Sequence, residues 1–202
     1  YQDLLAETET DYKDHCQNIL ASPMAILGKA NNFVANKEMD RLKNFLDGIR
    51  GSNLVEREDF VLLMEGYLAQ EAGRYDEALN YFNRIDSELL ESECLKRTLS
   101  LHLSKSDLNS ALKVAKQLSE KSLAHLPFHA DLLRLTGDRE QAITVYKRYL
   151  EVVRGDTVTE QKLGKLYGDM GDLVAARAVF NTILEKDPQN RAALQYLEQY
   201  SS

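Results

Sequence analysis

His125 and His129 come nearest to a catalytic or metal-binding arrangement, because two histidines four residues apart on a helix can share one ion. Between them stand Leu126, Pro127 and Phe128; no Glu follows His125 as a helical zinc-hydrolase motif requires, and no third ligand lies nearby in sequence. His129 also falls at an apolar position of the local pattern, so both residues are expected to be packed or rim histidines, with no metal and no cofactor. Glu91 with Glu93, and Glu56 and Glu58 with Asp59, offer paired carboxylates for acid and base work, but their neighbours assign them to the solvated faces of amphipathic helices. There is no Gly-x-Ser-x-Gly elbow, phosphate-cradling glycine loop, dinucleotide fingerprint or Cys-x2-Cys pair. The cysteines, Cys16 and Cys94, are separated by about two helical hairpins and read as small buried hydrophobes rather than a disulfide. The expectation is a chain with no catalytic residues.

The elements available to hold a binding surface follow from composition. Prolines occur only at 23, 127 and 188, so long helices are permitted throughout, and an all-α chain is the natural reading. A formal net charge of -7 argues against non-specific binding to nucleic acid or to an acidic membrane surface, both of which need dense positive charge. No apolar run approaches the roughly 20 residues that cross a bilayer. The sequence leaves the compartment open. The cytoplasm suits the chain as it stands, whereas the periplasm or a membrane surface would call for a segment preceding Tyr1.

Internal repetition organises the rest. A turn, an Ala, and an aromatic or small residue four places later recur: Gly73 to Ala78 and Phe82, Lys105 to Ala111 and Ala115, Gly137 to Ala142 and Tyr146, Gly171 to Ala176 and Phe180. The alanines are spaced 33, 31 and 34 residues apart. Gly66, Gly164, Ala78, Ala142 and Ala176 stand where two helices of a hairpin cross and only a small side chain fits, and the aromatics fill the space beyond. Gly73, Gly137 and Gly171 suit a left-handed helix stop, and Asp138 and Asp172 suit the cap that follows, Asp138 forming a capping box with Gln141.

This wording, best seen in Leu163-Gly164-x2-Tyr167, Ala176-x3-Phe180 and Pro188, resembles the tetratricopeptide repeat family over about residues 54 to 200. The resemblance implies an α-α superhelix, a right-handed solenoid of helical hairpins. Departures are Glu160 where the family prefers Trp, Leu99 at a crossing position, and the 31-residue interval, which predicts irregular geometry near Lys121 to His129. The expected organisation is an N-terminal amphipathic helix over 1–22, a degenerate hairpin over 23–53, about four repeats over 54–187, and a capping helix over 188–202, running from Pro188 to Tyr200. In the degenerate hairpin Phe45, 37 residues before Phe82, takes the aromatic position, and Gly48, Gly51 and Ser52 make a loop.

In such an array the first helix of each hairpin lines a concave groove with side chains that packing does not use. Alignment of the units puts Phe60, Met64 and Tyr67 there, then Lys96 and Arg97, then Arg134, then Lys162 and Lys165: an apolar end and a basic end. Family members that grip a chaperone's terminal carboxylate use lysines and asparagines; Ser100, Asp131 and Lys165 stand where the asparagines would be, which argues against that clamp. The resemblance implies a non-catalytic scaffold or adaptor holding a peptide or helix of a protein partner, with an acidic or C-terminal segment as the partner chemistry. Two alternatives stay open at this level: a regulatory or tethering domain of a larger enzyme or signalling protein, and a self-assembling envelope or secretion component that forms homo-oligomers.

Overall fold

The structure, a computed structural model, describes residues 22–52 and 57–199. Its helices are α1 (Pro23–Ala35), α2 (Met39–Arg50), α3 (Arg57–Glu71), α4 (Tyr75–Asn83), α5 (Glu88–Ser104), α6 (Leu108–Lys121), α7 (Leu126–Thr136), α8 (Arg139–Val152), α9 (Thr157–Asp169), α10 (Leu173–Lys186) and α11 (Arg191–Gln199). Among the described residues there is no strand, and no helix is long and apolar enough to cross a membrane. Of the expected helix over 1–22, residues 1–21, and Cys16 with them, lie outside the described residues. The chain divides into two compact units, Tyr1–Leu101 and His102–Ser202.

One turn closes every hairpin. Lys37, Gly73, Ser106, Gly137 and Gly171 all have positive φ, between 57° and 99°. The next residue's N–H reaches back to the carbonyl five residues earlier, as in Glu38 to Phe33, Arg74 to Ala69, Asp107 to His102, Asp138 to Leu133 and Asp172 to Tyr167, at 2.8 to 3.0 Å. This bond satisfies one of the carbonyls that a helix end leaves orphaned. Three of the glycines are the expected ones; Lys37 and Ser106 do the same work although a side chain disfavours the conformation by about 1–2 kcal/mol. Asp107, Asp138 and Asp172 then cap α6, α8 and α10 by accepting from the N–H three residues on.

In the first unit the hairpins α1/α2 and α3/α4 pack on one another, and α5 contributes Leu90, Cys94 and Leu101 to their shared core. Ala30 and Gly66 are the small residues at the crossings. A Cβ on Gly66 would run into three ring carbons of Phe82, which is buried and packs edge-on against Tyr67 with ring centroids 6.0 Å apart. In the α1/α2 hairpin the large residue opposite is Leu46, fully packed, rather than Phe45, which is displaced by one position and meets Phe33 edge-on at 5.8 Å beneath Lys29. The register follows Leu42, which falls five residues after the positive-φ Lys37. Gly48 is helical within α2; the loop begins at Gly51.

In the second unit α7/α8 and α9/α10 form the hairpins, with α6 on one side and α11 on the other. Ala130 and Gly164 are the small crossing residues, facing Tyr146 and Phe180; a Cβ on Gly164 would come within 2.8 Å of Phe180 Cε2. Between α6 and α7 a 3-10 turn, Leu123–His125, occupies the region where the short repeat interval predicted irregularity. α11 is the cap, but it starts at Arg191 rather than at Pro188: Asn190 Oδ1 accepts from Ala193 N at 3.2 Å, so Asn190 ends the turn in which Pro188 lies. The ring of Tyr196 stacks on Phe180 with centroids 4.0 Å apart and passes over Gly168, where a Cβ would collide with its hydroxyl.

Candidate interaction surface

In the first unit the first helices of successive hairpins are tied by a hydrogen-bonded knot around Tyr67. Its hydroxyl proton is shared between Asn31 Oδ1 at 2.6 Å and Glu93 Oε1 at 3.1 Å. Arg97 Nε donates to Glu93 Oε1 at 2.7 Å, its Nη2 donates to Asn31 Oδ1 at 3.3 Å, and the guanidinium lies 4.5 Å from the centre of the Tyr67 ring. Burial, then the charge of Glu93, pushes the Tyr67 phenol far above its ordinary value, so it remains a neutral donor. Burial alone would lower the Arg97 pKa, but the phenol and Glu93 outweigh it and the guanidinium is held more firmly charged. Cys94 beside them is pushed up to about 12 by burial and Glu93, which makes it an inert thiol.

The second unit carries a counterpart around Tyr146. The Tyr146 hydroxyl donates to Asp131 Oδ1, and Lys162 Nζ donates to Asp131 Oδ2 at 2.6 Å, joining α7, α8 and α9. Burial and Asp131 raise the Tyr146 phenol well above its usual range, with Arg134 acting in the opposite sense. Lys162 and Arg97 occupy the same register, two residues before the crossing residues Gly164 and Leu99, and each is paired with a carboxylate of its own unit. Arg134 and Lys165 lie one turn further along α7 and α9 and are exposed, as is Phe128 on α7.

The sequence-expected residues therefore separate into three groups. Phe60, Met64 and Tyr67 are at most 1% exposed and belong to the core of the first unit, so their apolar area is already used; α3 is enclosed by α1, α2, α4 and α5 and has little free face. Arg97 and Lys162 are present but paired. Lys96, Arg134 and Lys165 are exposed. Sequence reasoning missed Asn31, whose signal was its place one residue after Ala30, the same register as Tyr67, Ser100, Asp131 and Lys165. It also assigned Glu93 to a solvated face, whereas its side chain is 13% exposed; the spacing of four to Arg97 marked the pair. Glu160, at the Trp position, is largely buried and bonded to Lys186 at 2.7 Å.

The histidines do not assemble a site. His125 precedes α7, and His129 is buried with Nδ1 3.0 Å from Ser119 Oγ, whose own proton goes to the Lys116 carbonyl. Among the described residues no group of three or more His, Cys, Asp or Glu could hold a metal.

The sequence profile of the tetratricopeptide repeat matches residues 161–190, which cover α9 from Gln161 onward, α10 and the turn before α11. The fold is similar to that of YrrB, described as a TPR protein with an unusual peptide-binding site, over 93% of this chain and 97% of that one, with a TM-score of 0.63 at 14% identity. The chain carries a tetratricopeptide repeat over residues 161–190 and has the fold of tetratricopeptide repeat proteins. A tetratricopeptide repeat protein from Parabacteroides merdae is similar over 68% of this chain and 56% of its own, with a TM-score of 0.58 at 18% identity. MamA from Desulfovibrio magneticus is similar over 90% and 96%, with a TM-score of 0.56 at 14% identity. No curated protein matches the sequence. Tetratricopeptide repeats are protein-interaction scaffolds, in general without catalysis of their own.

Proposed function

We propose that this protein is a non-catalytic adaptor of the tetratricopeptide repeat kind that holds an acidic segment of a protein partner against the first-helix face of its hairpins. The observation that carries this reading is local charge: Arg134 and Lys165 are exposed on adjacent first helices of the second unit, beside Lys162, in a chain whose formal net charge is -7. Charge of that sign steers an acidic chain toward the face and speeds encounter more than it adds to final affinity. Phe128, 39% exposed on the same helix as Asp131 and Arg134, offers apolar area for a neighbouring side chain of the partner. In the first unit Lys96 is the exposed cation, whereas Arg97 is paired with Glu93 and held over the ring of the buried Tyr67.

The test is capture of partners from the source cell, followed by association kinetics with the purified partner at low and high salt. Arg134→Glu with Lys165→Glu, both at exposed positions, leaves folding intact, slows association and flattens its salt dependence. Binding that is insensitive to salt and unchanged by the double reversal contradicts the proposal.

A further inference from the structure

Resting on that reading, we infer that Asp131 is a built-in substitute for the partner's carboxylate, and that an acidic peptide binds the second unit by displacing Asp131 from Lys162. The geometry is that of an anion site already filled from within. Asp131 presents one carboxylate oxygen to Lys162 Nζ at 2.6 Å and the other to the hydroxyl of Tyr146, so a cation and a neutral donor converge on a single carboxylate. That is the donor set a carboxylate from outside would need. The seat is half open. The side chains of Lys162 and Asp131 keep 40% and 21% of their exposure, so the pair is reached from solvent and is held by a bond of surface rather than core strength.

The equivalent cation in the first unit is held differently. Arg97 is gripped by Glu93 and Asn31 together and stacked on Tyr67, and the side chains of Arg97 and Glu93 are only 23% and 13% exposed. A lysine with one partly exposed partner exchanges that partner readily, whereas a guanidinium fixed by three groups does not. Exposed Arg134 and Lys165 flank the Asp131–Lys162 pair, one turn along each helix, and supply the charge that draws a second carboxylate in. Asp131 thus sets the threshold of the face: a single weak anion does not displace it, while a peptide with several adjacent carboxylates engages the flanking cations and then competes for Lys162.

The experiment titrates the whole chain with acetylated, amidated hexaglutamate, comparing wild type, Asp131→Asn and Glu140→Gln by isothermal calorimetry at low salt. The amide introduced by Asp131→Asn still accepts from Tyr146 through its oxygen and turns its NH2 toward Lys162, which frees that lysine. Glu140→Gln, at an exposed position on α8, makes the same change in net charge elsewhere. The expected result is binding about three- to tenfold tighter for Asp131→Asn than for Glu140→Gln, with the gain lost when Lys162→Met is added. Thermal melts of all variants show that the comparison is between folded proteins, and Tyr146→Phe, which keeps the Asp131–Lys162 pair, shows no such gain. Equal affinities for Asp131→Asn and Glu140→Gln overturn the displacement while leaving the basic face as a binding surface. No binding by any variant overturns both.

Discussion

Glycines 66 and 48 both sit inside helices of the first unit, yet alanine is expected to act on them in opposite directions. At an open helical position Gly→Ala stabilises by about 0.5–1 kcal/mol, because alanine restricts the unfolded chain and favours the helix. Gly48 is such a position: a Cβ there has nothing within 4 Å. At Gly66 the same propensity gain is opposed by contact with three carbons of the Phe82 ring, two of them at 2.8 Å. The ring is 3% exposed and wedged against Tyr67, so it has no empty space to turn into, and overpacking of this kind costs about 1–3 kcal/mol. The net expectation is that Gly66→Ala destabilises by about 0–2 kcal/mol. The firmer quantity is the difference between the two sites, about 1–3 kcal/mol. Urea titrations followed by circular dichroism measure it, and Phe82→Leu should suppress most of it in a double-mutant cycle. A Gly66→Ala protein as stable as Gly48→Ala would refute the close crossing of α3 and α4.

Ala176, fully buried opposite Gly164 at the last hairpin crossing, should tolerate enlargement poorly: Ala176→Leu lowers stability by about 1–3 kcal/mol in the same assay, and an unchanged melting curve would contradict the register. Burial, then Lys116, depresses the His129 pKa, so the folded state favours the neutral ring. Its stabilising contribution is full above the unfolded histidine value of about 6.5 and is lost as pH falls below it. The urea midpoint should drop between about pH 7.5 and about pH 5.5, less so in His129→Gln; an equal drop in both excludes His129 as the cause. Zinc and chelators should leave the melting temperature unchanged, and a chelator-sensitive shift that disappears in His125→Ala would reveal a metal site.

Much of the fold was legible because close backbone crossings admit few residue types. Gly66, Ala142, Gly164 and Ala176 announced the hairpins, and Gly73, Gly137 and Gly171 announced the turns. The turn at Ser106 was legible from the repeat although no glycine marks it, whereas Lys37 was illegible as a turn because the left-handed conformation is imposed on it by the Schellman bond and the packing on either side, against its own preference. The α1/α2 register was misread by one residue because an aromatic was sought at 45, where the hairpin uses Leu46 opposite Ala30. The surface was less legible than the fold. Repeat alignment identified which side chains share a face, but whether a cation there is free or paired depends on the neighbouring helix. Lys162 and Asp131 are 31 residues apart, so no local pattern marks them as a pair. Phe60, Met64 and Tyr67 were read as groove residues because alignment does not reveal how completely flanking hairpins enclose α3.

Site-specific photocrosslinking shows directly whether partners are held on the first-helix face. A benzophenone amino acid is placed in turn at Phe128, on α7, and at Arg148, exposed on α8. The partner should crosslink from position 128, and an excess of acidic peptide should suppress the product. Crosslinking from position 148 with none from 128 would place the partner on the second helices instead.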